Sequence, residues 1–279
     1  MLHSSEKYAW IFDQEMQGEK LSHERVGRYR ARTIRAGDQL EVEIYPLWDT
    51  GAEARTAKCR ATGEAQRNVN ARNTRKRLER LLNANFTRED LSLTLTYGAG
   101  VPNLAQARRD MQNFVRRVKA AYKRLGLPSP KYVYVMEYGS DGRKKRVHHH
   151  MVLSGGMDRD ALEALWKHGR ANADRLKPDE YGLTALARYI TKESHGGKRW
   201  AASRNLKKPR ITVSDTKISR RRVEQMAEDM ECAAPAIFTK LFPDYVYTDC
   251  VIRRSDFVSG AYVYARMVAR SAYVVARAL

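Results

Sequence analysis

Cysteine is scarce in this 279-residue chain, and its three copies, Cys59, Cys232 and Cys250, show no paired spacing. That excludes a disulfide framework and a cysteine-based zinc site, and it fits a reducing, cytoplasmic setting. No apolar run approaches the roughly 20 residues that cross a bilayer, so no membrane partner is expected. The opening MLHSSEKYAWIFDQEMQ lacks a basic region followed by an apolar core, and it reads as something other than a signal peptide. G-x-x-x-x-G-K-[ST] is missing too, which leaves no P-loop helicase within these residues. Acidic residues are the remaining shortage: 32 Asp+Glu stand against 52 Lys+Arg, a net charge of +20. An excess of that size favours a polyanionic partner, nucleic acid first.

What is present supports a folded core, with 43% hydrophobic residues. KYVYVMEYG (131–139) and RVHHHMVLSGG (146–156) flank Ser140, Asp141, Gly142 and Arg143. Both arms are rich in β-formers and Asp-Gly tolerates the positive φ of a tight turn, so a β-hairpin is expected. Alternation on a strand puts His148 and His150 on one face and His149 on the other. Glu137 on the partner strand reaches the same end of the sheet. A His-x-His pair alone is most often an exposed ladder. With a carboxylate across the hairpin, it becomes a candidate site for a divalent cation with open positions. The metallo-β-lactamase pattern does not apply, because Val152 stands where an Asp is needed.

Arg28–Trp48 predicts a further hairpin turning at Ala36-Gly37-Asp38. Its basic arm (Arg28, Arg30, Arg32, Arg35) reads equally as a solvated edge strand or a DNA contact. Residues 1–23 read as a polar arm and 52–86 as a long basic helical tract. LSLTLTYG (91–98) alternates as a strand. A helix from Pro102-Asn103 to about Leu125 carries the stripe Leu104, Ala107, Met111, Phe114, Val115, Val118, Tyr122, with Arg108, Arg109, Arg116, Lys119 and Lys123 opposite. Asp158 is expected to cap a helix ending near Gly169, and Arg170–Leu176 to form a short strand. In the helix EYGLTALARYITKES, Leu183, Leu186, Ala187 and Ile190 form the apolar stripe and Tyr189 and Lys192 are neighbours at i, i+3. Residues 198–215 read as a loose basic segment with Trp200, followed by a helix over Ser219–Glu231. YVYTDCVIRR and GAYVYARM are expected to pair as strands before a final helix. The fold class is thus α+β: a central antiparallel sheet with helices packed on one face and the site on the other.

Three segments, LTLTY (93–97), HHHMVL (148–153) and ARYITKE (187–193), occur in the order and at the separations of HUH endonucleases. The chain resembles the rolling-circle replication initiators of bacterial phages, plasmids and prophage-like elements, with less specific similarity in NLKKPRITVS, FPDYVYTDC and GAYVYARM. The resemblance implies a basic N-terminal extension over 1–86, an endonuclease core over 87–200, and a C-terminal extension over 201–279 that completes the fold. It implies His148, His150 and Glu137 as ligands of Mg²⁺ or Mn²⁺, Tyr189 as nucleophile and Lys192 as its assistant. Tyr181 is the rival nucleophile. Thr94 and Thr96 are expected to pack beside the site, and His168 and His195 to be surface residues. His149 departs from the pattern, since that position usually holds a bulky hydrophobe. The implied activity is site-specific nicking and joining of single-stranded DNA through a 5′-phosphotyrosine. Its implied partners are single-stranded or hairpin origin DNA, a host helicase and a DNA polymerase, in the cytoplasm of a bacterial cell. A transposase or relaxase of the same chemistry is the near alternative. A non-catalytic nucleic-acid-binding protein is the distant one.

Overall fold

In the computed structural model, residues 25–48, 63–98, 100–140, 145–191, 200–254 and 259–277 are described. In chain order the elements are β1 (Val26–Ala36), β2 (Gln39–Trp48), α1 (Gly63–Asn83), β3 (Leu91–Thr96), α2 (Leu104–Arg124), β4 (Tyr132–Ser140) and β5 (Lys145–Leu153). They continue with α3 (Arg159–Glu163), β6 (Ala171–Arg175), α4 (Thr184–Ile190), β7 (Ala201–Ala202) and β8 (Arg210–Ser214). The last are α5 (Arg220–Glu228), α6 (Met230–Leu241), β9 (Tyr245–Arg254), β10 (Ala261–Ala269) and α7 (Arg270–Arg277). No helix among the described residues is long and apolar enough to cross a membrane. The fold is α+β, with two antiparallel sheets, one in each of two units.

The first unit comprises Met1–Arg80, Glu180–Gly182 and Pro209–Leu279. Its sheet has the order β8-β1-β2-β10-β9. The β1–β2 hairpin turns where expected, with Gly37 at φ +57°, a conformation that costs little without a Cβ. Leu40, Val42 and Ile44 alternate onto one face with Val263, Ala265 and Met267. Val223 and Met226 of α5 and Ala234 and Phe238 of α6 complete that apolar cluster. Asp229 starts α6 by accepting a hydrogen bond from the Cys232 backbone N–H at 3.1 Å.

The opposite face of that sheet is polar yet buried. Arg32 and Glu43, cross-strand partners, bond at 2.9 Å, and Arg80 of α1 reaches Glu41 at 2.6 Å and Glu43 at 2.8 Å. The Tyr264 hydroxyl donates to Glu41 at 2.9 Å, and Lys76 Nζ lies 4.1 Å from the Tyr264 ring centroid. Burial alone would raise the Glu43 carboxyl, but Arg80, Lys76 and Arg32 outweigh it and hold it down to about 2.

Two expectations are corrected here. The basic arm β1 is no edge strand: β8 pairs along it from Ala31 to Arg35, and Arg30 is held by Asp215 at 2.6 Å. Part of the loose basic segment therefore forms a strand, because the short alternation RITVS finds a ladder on β1. The helix that starts at Ser219 ends at Glu228 and is followed by α6, whose interior Pro235 hides it from a reading of helical pattern.

The second unit comprises Leu81–Asp179 and Leu183–Lys208, with sheet order β6-β3-β5-β4-β7. β3 alternates as its sequence predicts, with Leu91, Leu93 and Leu95 fully buried. They meet Met111, Phe114, Val118 and Tyr122 of α2, each such side chain contributing about 1.5–3 kcal/mol by burial. Asn103 caps α2 by accepting from the Gln106 N–H at 2.9 Å. Tyr132, Tyr134, Met151 and Leu153 share this face. Ser92, Thr94 and Thr96, Val133, Val135 and Glu137, and His148, His150 and Val152 make up the other. α3 is shorter than expected, stopping at Glu163, although Asp158 caps it at 2.9 Å. α4 begins at Thr184 instead of Pro178.

Candidate active site

β4 and β5 pair antiparallel from Tyr132↔Leu153 to Ser140↔Lys145, enclosing 141–144, where the expected Asp-Gly turn lies outside the described residues. This register sets Glu137 directly across from His148 and Val135 across from His150. β3 pairs on the other flank, setting Thr96 across from His148 and Thr94 across from His150. Four strand positions therefore surround the His pair on the face away from the α2 core.

His150 Nε2–H donates to Glu137 Oε2 at 3.1 Å, the diagonal contact that a pleated antiparallel pair allows. Its Nδ1, 3.4 Å from the Thr94 hydroxyl, accepts in that tautomer. Burial lowers the His150 pKa, while the Glu137 hydrogen bond pulls it back up. Thr94 thus supports His150 directly. Thr96 does not, since its hydroxyl donates to the Arg170 carbonyl at 3.1 Å.

α4 buries Thr184, Ala187 and Ile190, and on its outer face Tyr189 is 64% exposed. The Tyr189 ring lies 5.3 Å from the His150 ring at 74°, an edge-to-face contact. Tyr181 belongs to the first unit, where the Arg266 guanidinium lies 4.4 Å above its ring. Lys192 and His195 fall outside the described residues. Tyr189, His150, Glu137 and Thr94 are thus brought together, with His148 on the same face across from Glu137.

Two imidazoles and a carboxylate on one face, one of each already in contact, are the donor chemistry that Mn²⁺ or Mg²⁺ takes with waters in the remaining positions. Among the described residues no three His, Cys, Asp or Glu side chains already converge as a cage. A cation bound between His150 and Glu137 replaces the proton they share.

His149 points the other way, fully buried among Tyr97, Trp166 and the α2 core. Its Nε2 lies 3.2 Å from the Tyr97 hydroxyl, which in turn donates to Asp110 Oδ2 at 3.3 Å. Gln106 donates to Asp110 Oδ1 at 2.6 Å, and His168 Nε2 stands 3.6 Å from the same oxygen. Burial pushes the His149 imidazole down to about 4, against the pull of Asp110, so it is neutral near pH 7. Burial and Asp110 together push the Tyr97 phenol up. Gly169 closes this corner: a Cβ there would lie 2.3 Å from the Gly98 nitrogen and 2.5 Å from the Thr96 carbonyl oxygen. Sequence reasoning missed this cluster and took His168 for a surface residue. The available signal was Asp110, an acid at i+3 from Ala107 on the apolar stripe of α2.

Residues 90–194 match the family described as Replication-associated protein ORF2. The matched stretch lies in the part of the chain that carries β3, the His strand and α4, and it supports a replication-initiator role. Neither the curated proteins nor the solved structures contain a match.

Proposed function

We propose that this protein nicks and rejoins single-stranded DNA to initiate rolling-circle replication, with Tyr189 as the nucleophile. The observation that carries the reading is the exposed Tyr189 ring held 5.3 Å from His150, itself hydrogen-bonded to Glu137. An exposed phenol beside a polar His–Glu pair has no packing role to explain its position, and a phosphodiester approaching from solvent meets all three groups at once.

The Tyr189 phenolic oxygen loses its proton and attacks the phosphorus in line. The bond from phosphorus to the 3′-oxygen breaks, and that oxygen leaves with the electron pair and takes up a proton. A 5′-phosphate esterified to Tyr189 and a free 3′-hydroxyl result, with one phosphoester exchanged for another. The same 3′-hydroxyl, or another, reverses the step and rejoins a strand. His148, His150 and Glu137 would hold a divalent cation, which when bound neutralises charge on the non-bridging phosphate oxygens. Thr94 fixes the ring orientation of His150. Lys192, three residues beyond the nucleophile, would add positive charge at the phosphate.

The test is incubation of the protein with a 5′- or 3′-labelled origin hairpin and Mn²⁺, followed by denaturing electrophoresis. The expected result is a covalent adduct carrying the label downstream of the nick, absent in Tyr189→Phe and retained in Tyr181→Phe. A non-covalent shifted complex as the only product of the unaltered protein would leave a nucleic-acid-binding protein without this chemistry.

A further inference from the structure

Helix α2 packs its apolar stripe on the leucine face of the second sheet, the face opposite His148, His150 and Glu137. Its outer face carries exposed Arg108, Arg109, Arg116, Lys119, Lys123 and Arg124. At 100° per residue, the first five of these fall within about 100° of arc and extend along about 23 Å of axis. The single acid of the helix, Asp110, is buried on the inner side. Among the described residues none of the six cations has a carboxylate partner. The polar contacts of the row are with neutral groups: Arg109 donates to Gln106 at 2.9 Å, Arg116 donates to Asn113, and Lys119 lies 5.5 Å from the Tyr132 ring.

A solvated helix face ordinarily mixes signs, because i, i+4 pairs of opposite charge stabilise it and like charges destabilise it. Here like charges are kept along four turns without an anion among them. We infer that the α2 face is a second nucleic-acid surface, one that tracks the phosphate backbone of duplex DNA on the side of the sheet away from Tyr189.

Duplex fits better than single strand for a reason visible in the same residues. Sequence-tolerant binding of single strands combines cations with exposed aromatic rings on which bases stack. The exposed face of α2 has none: its remaining members are Leu104, Ala105, Gln112 and Ala120, while Phe114 and Tyr122 are buried in the core. A straight cationic row without stacking groups matches a stiff rod bearing one charge per about 1.7 Å. The inference goes beyond the nicking reading and does not depend on it, since duplex held here engages neither Tyr189 nor a metal.

The experiment measures binding of the full chain to a labelled blunt duplex of about 20 base pairs without origin sequence, in EDTA and across a salt series. Both the unaltered protein and Tyr189→Phe serve as backgrounds, so failure of the nicking reading leaves this result intact. Each phosphate contact contributes about −0.9 to the slope of log K against log salt. Arg108→Gln/Arg116→Gln/Lys123→Gln is expected to make the slope shallower by about 2.7 and to weaken binding at least tenfold at low salt. The control Arg221→Gln/Lys240→Gln, on exposed cations of the first unit, is expected to leave the slope within about 0.5 of the parent. An unchanged slope in the triple variant overturns the inference, and so does an equal loss in the control, which would mark general charge in place of a defined face. Loss of binding to phosphatidylserine vesicles without loss of duplex binding also overturns it and assigns the row to a lipid surface. Single substitutions, each expected to move the slope by about 0.9, keep the test decisive if the triple variant folds poorly.

Discussion

The two units handle charge in opposite ways. Of the chain's 52 Lys+Arg and 32 Asp+Glu, the first unit holds 27 and 21, a net +6, and the second holds 25 and 11, a net +14. In the first unit the acids face the bases: Arg32 and Arg80 on Glu43, Arg80 on Glu41, Arg30 on Asp215, and Arg266 on Asp249. In the second, acids accept from backbone N–H groups and neutral side chains. Asp90 takes Thr87 and Gly155, Asp110 takes Tyr97 and Gln106, Asp158 caps α3, and Glu163 takes the Ala173 N–H. Its basic residues are therefore left facing solvent. Overall charge alone would have credited both halves with affinity for a polyanion. The pairing locates that affinity in the unit that also carries Tyr189.

The comparison breaks most visibly at Glu43. Replacing it with Ala strands Arg32, Arg80 and Lys76 in a buried setting and should cost about 3–5 kcal/mol, read by urea unfolding with a probe in the first unit. A cost below about 1 kcal/mol would mean the network is solvated.

His149 gives the next effect. Its folded-state pKa of about 4 lies below the ordinary 6.5, so between those values the unfolded chain binds a proton that the folded one does not. Stability should therefore fall as pH drops from about 6.5 toward 4, by on the order of 3 kcal/mol in total. In His149→Leu the pH slope of chemical denaturation over that window should flatten. A slope as steep as the parent's would assign the effect to other groups.

At the site face, Glu137→Gln is expected to lower both the rate of adduct formation and Mn²⁺ affinity by roughly a hundredfold, followed by gel and by titration. Equal activity with and without the carboxylate would remove Glu137 from the site. The smallest effect sharpens the contrast from the exposed side: Arg30→Gln breaks a partly exposed pair and should cost under about 1 kcal/mol.

Much of this was legible from residue patterns. Strand alternation alone separated His149 from its two neighbours, and the buried leucines of β3 and the stripe of α2 follow simple periodicity. Less legible were features that depend on a distant partner. RITVS is five residues of ordinary alternation until β1 offers it a ladder, and the arginines of β1 look solvated until Glu43 and Asp215 arrive from elsewhere in the chain. The Tyr97–His149–Asp110 chain was hidden for a related reason: 52 residues separate Tyr97 from His149. An interior proline concealed α6, since Pro235 breaks the local rule while Ala234 and Phe238 are secured by the core.

The way β10 completes the first sheet bears on the order in which the protein is built. Val263 lies against Ile44, so on the ribosome β2 must wait for roughly two hundred further residues before its neighbour is synthesised. The intervening Leu81–Lys208 stretch supplies every strand of the other sheet and is free to close meanwhile. During translation, then, the β1–β2 ribbon emerges with an open flank, and the half bearing Tyr189 matures ahead of the half where synthesis began.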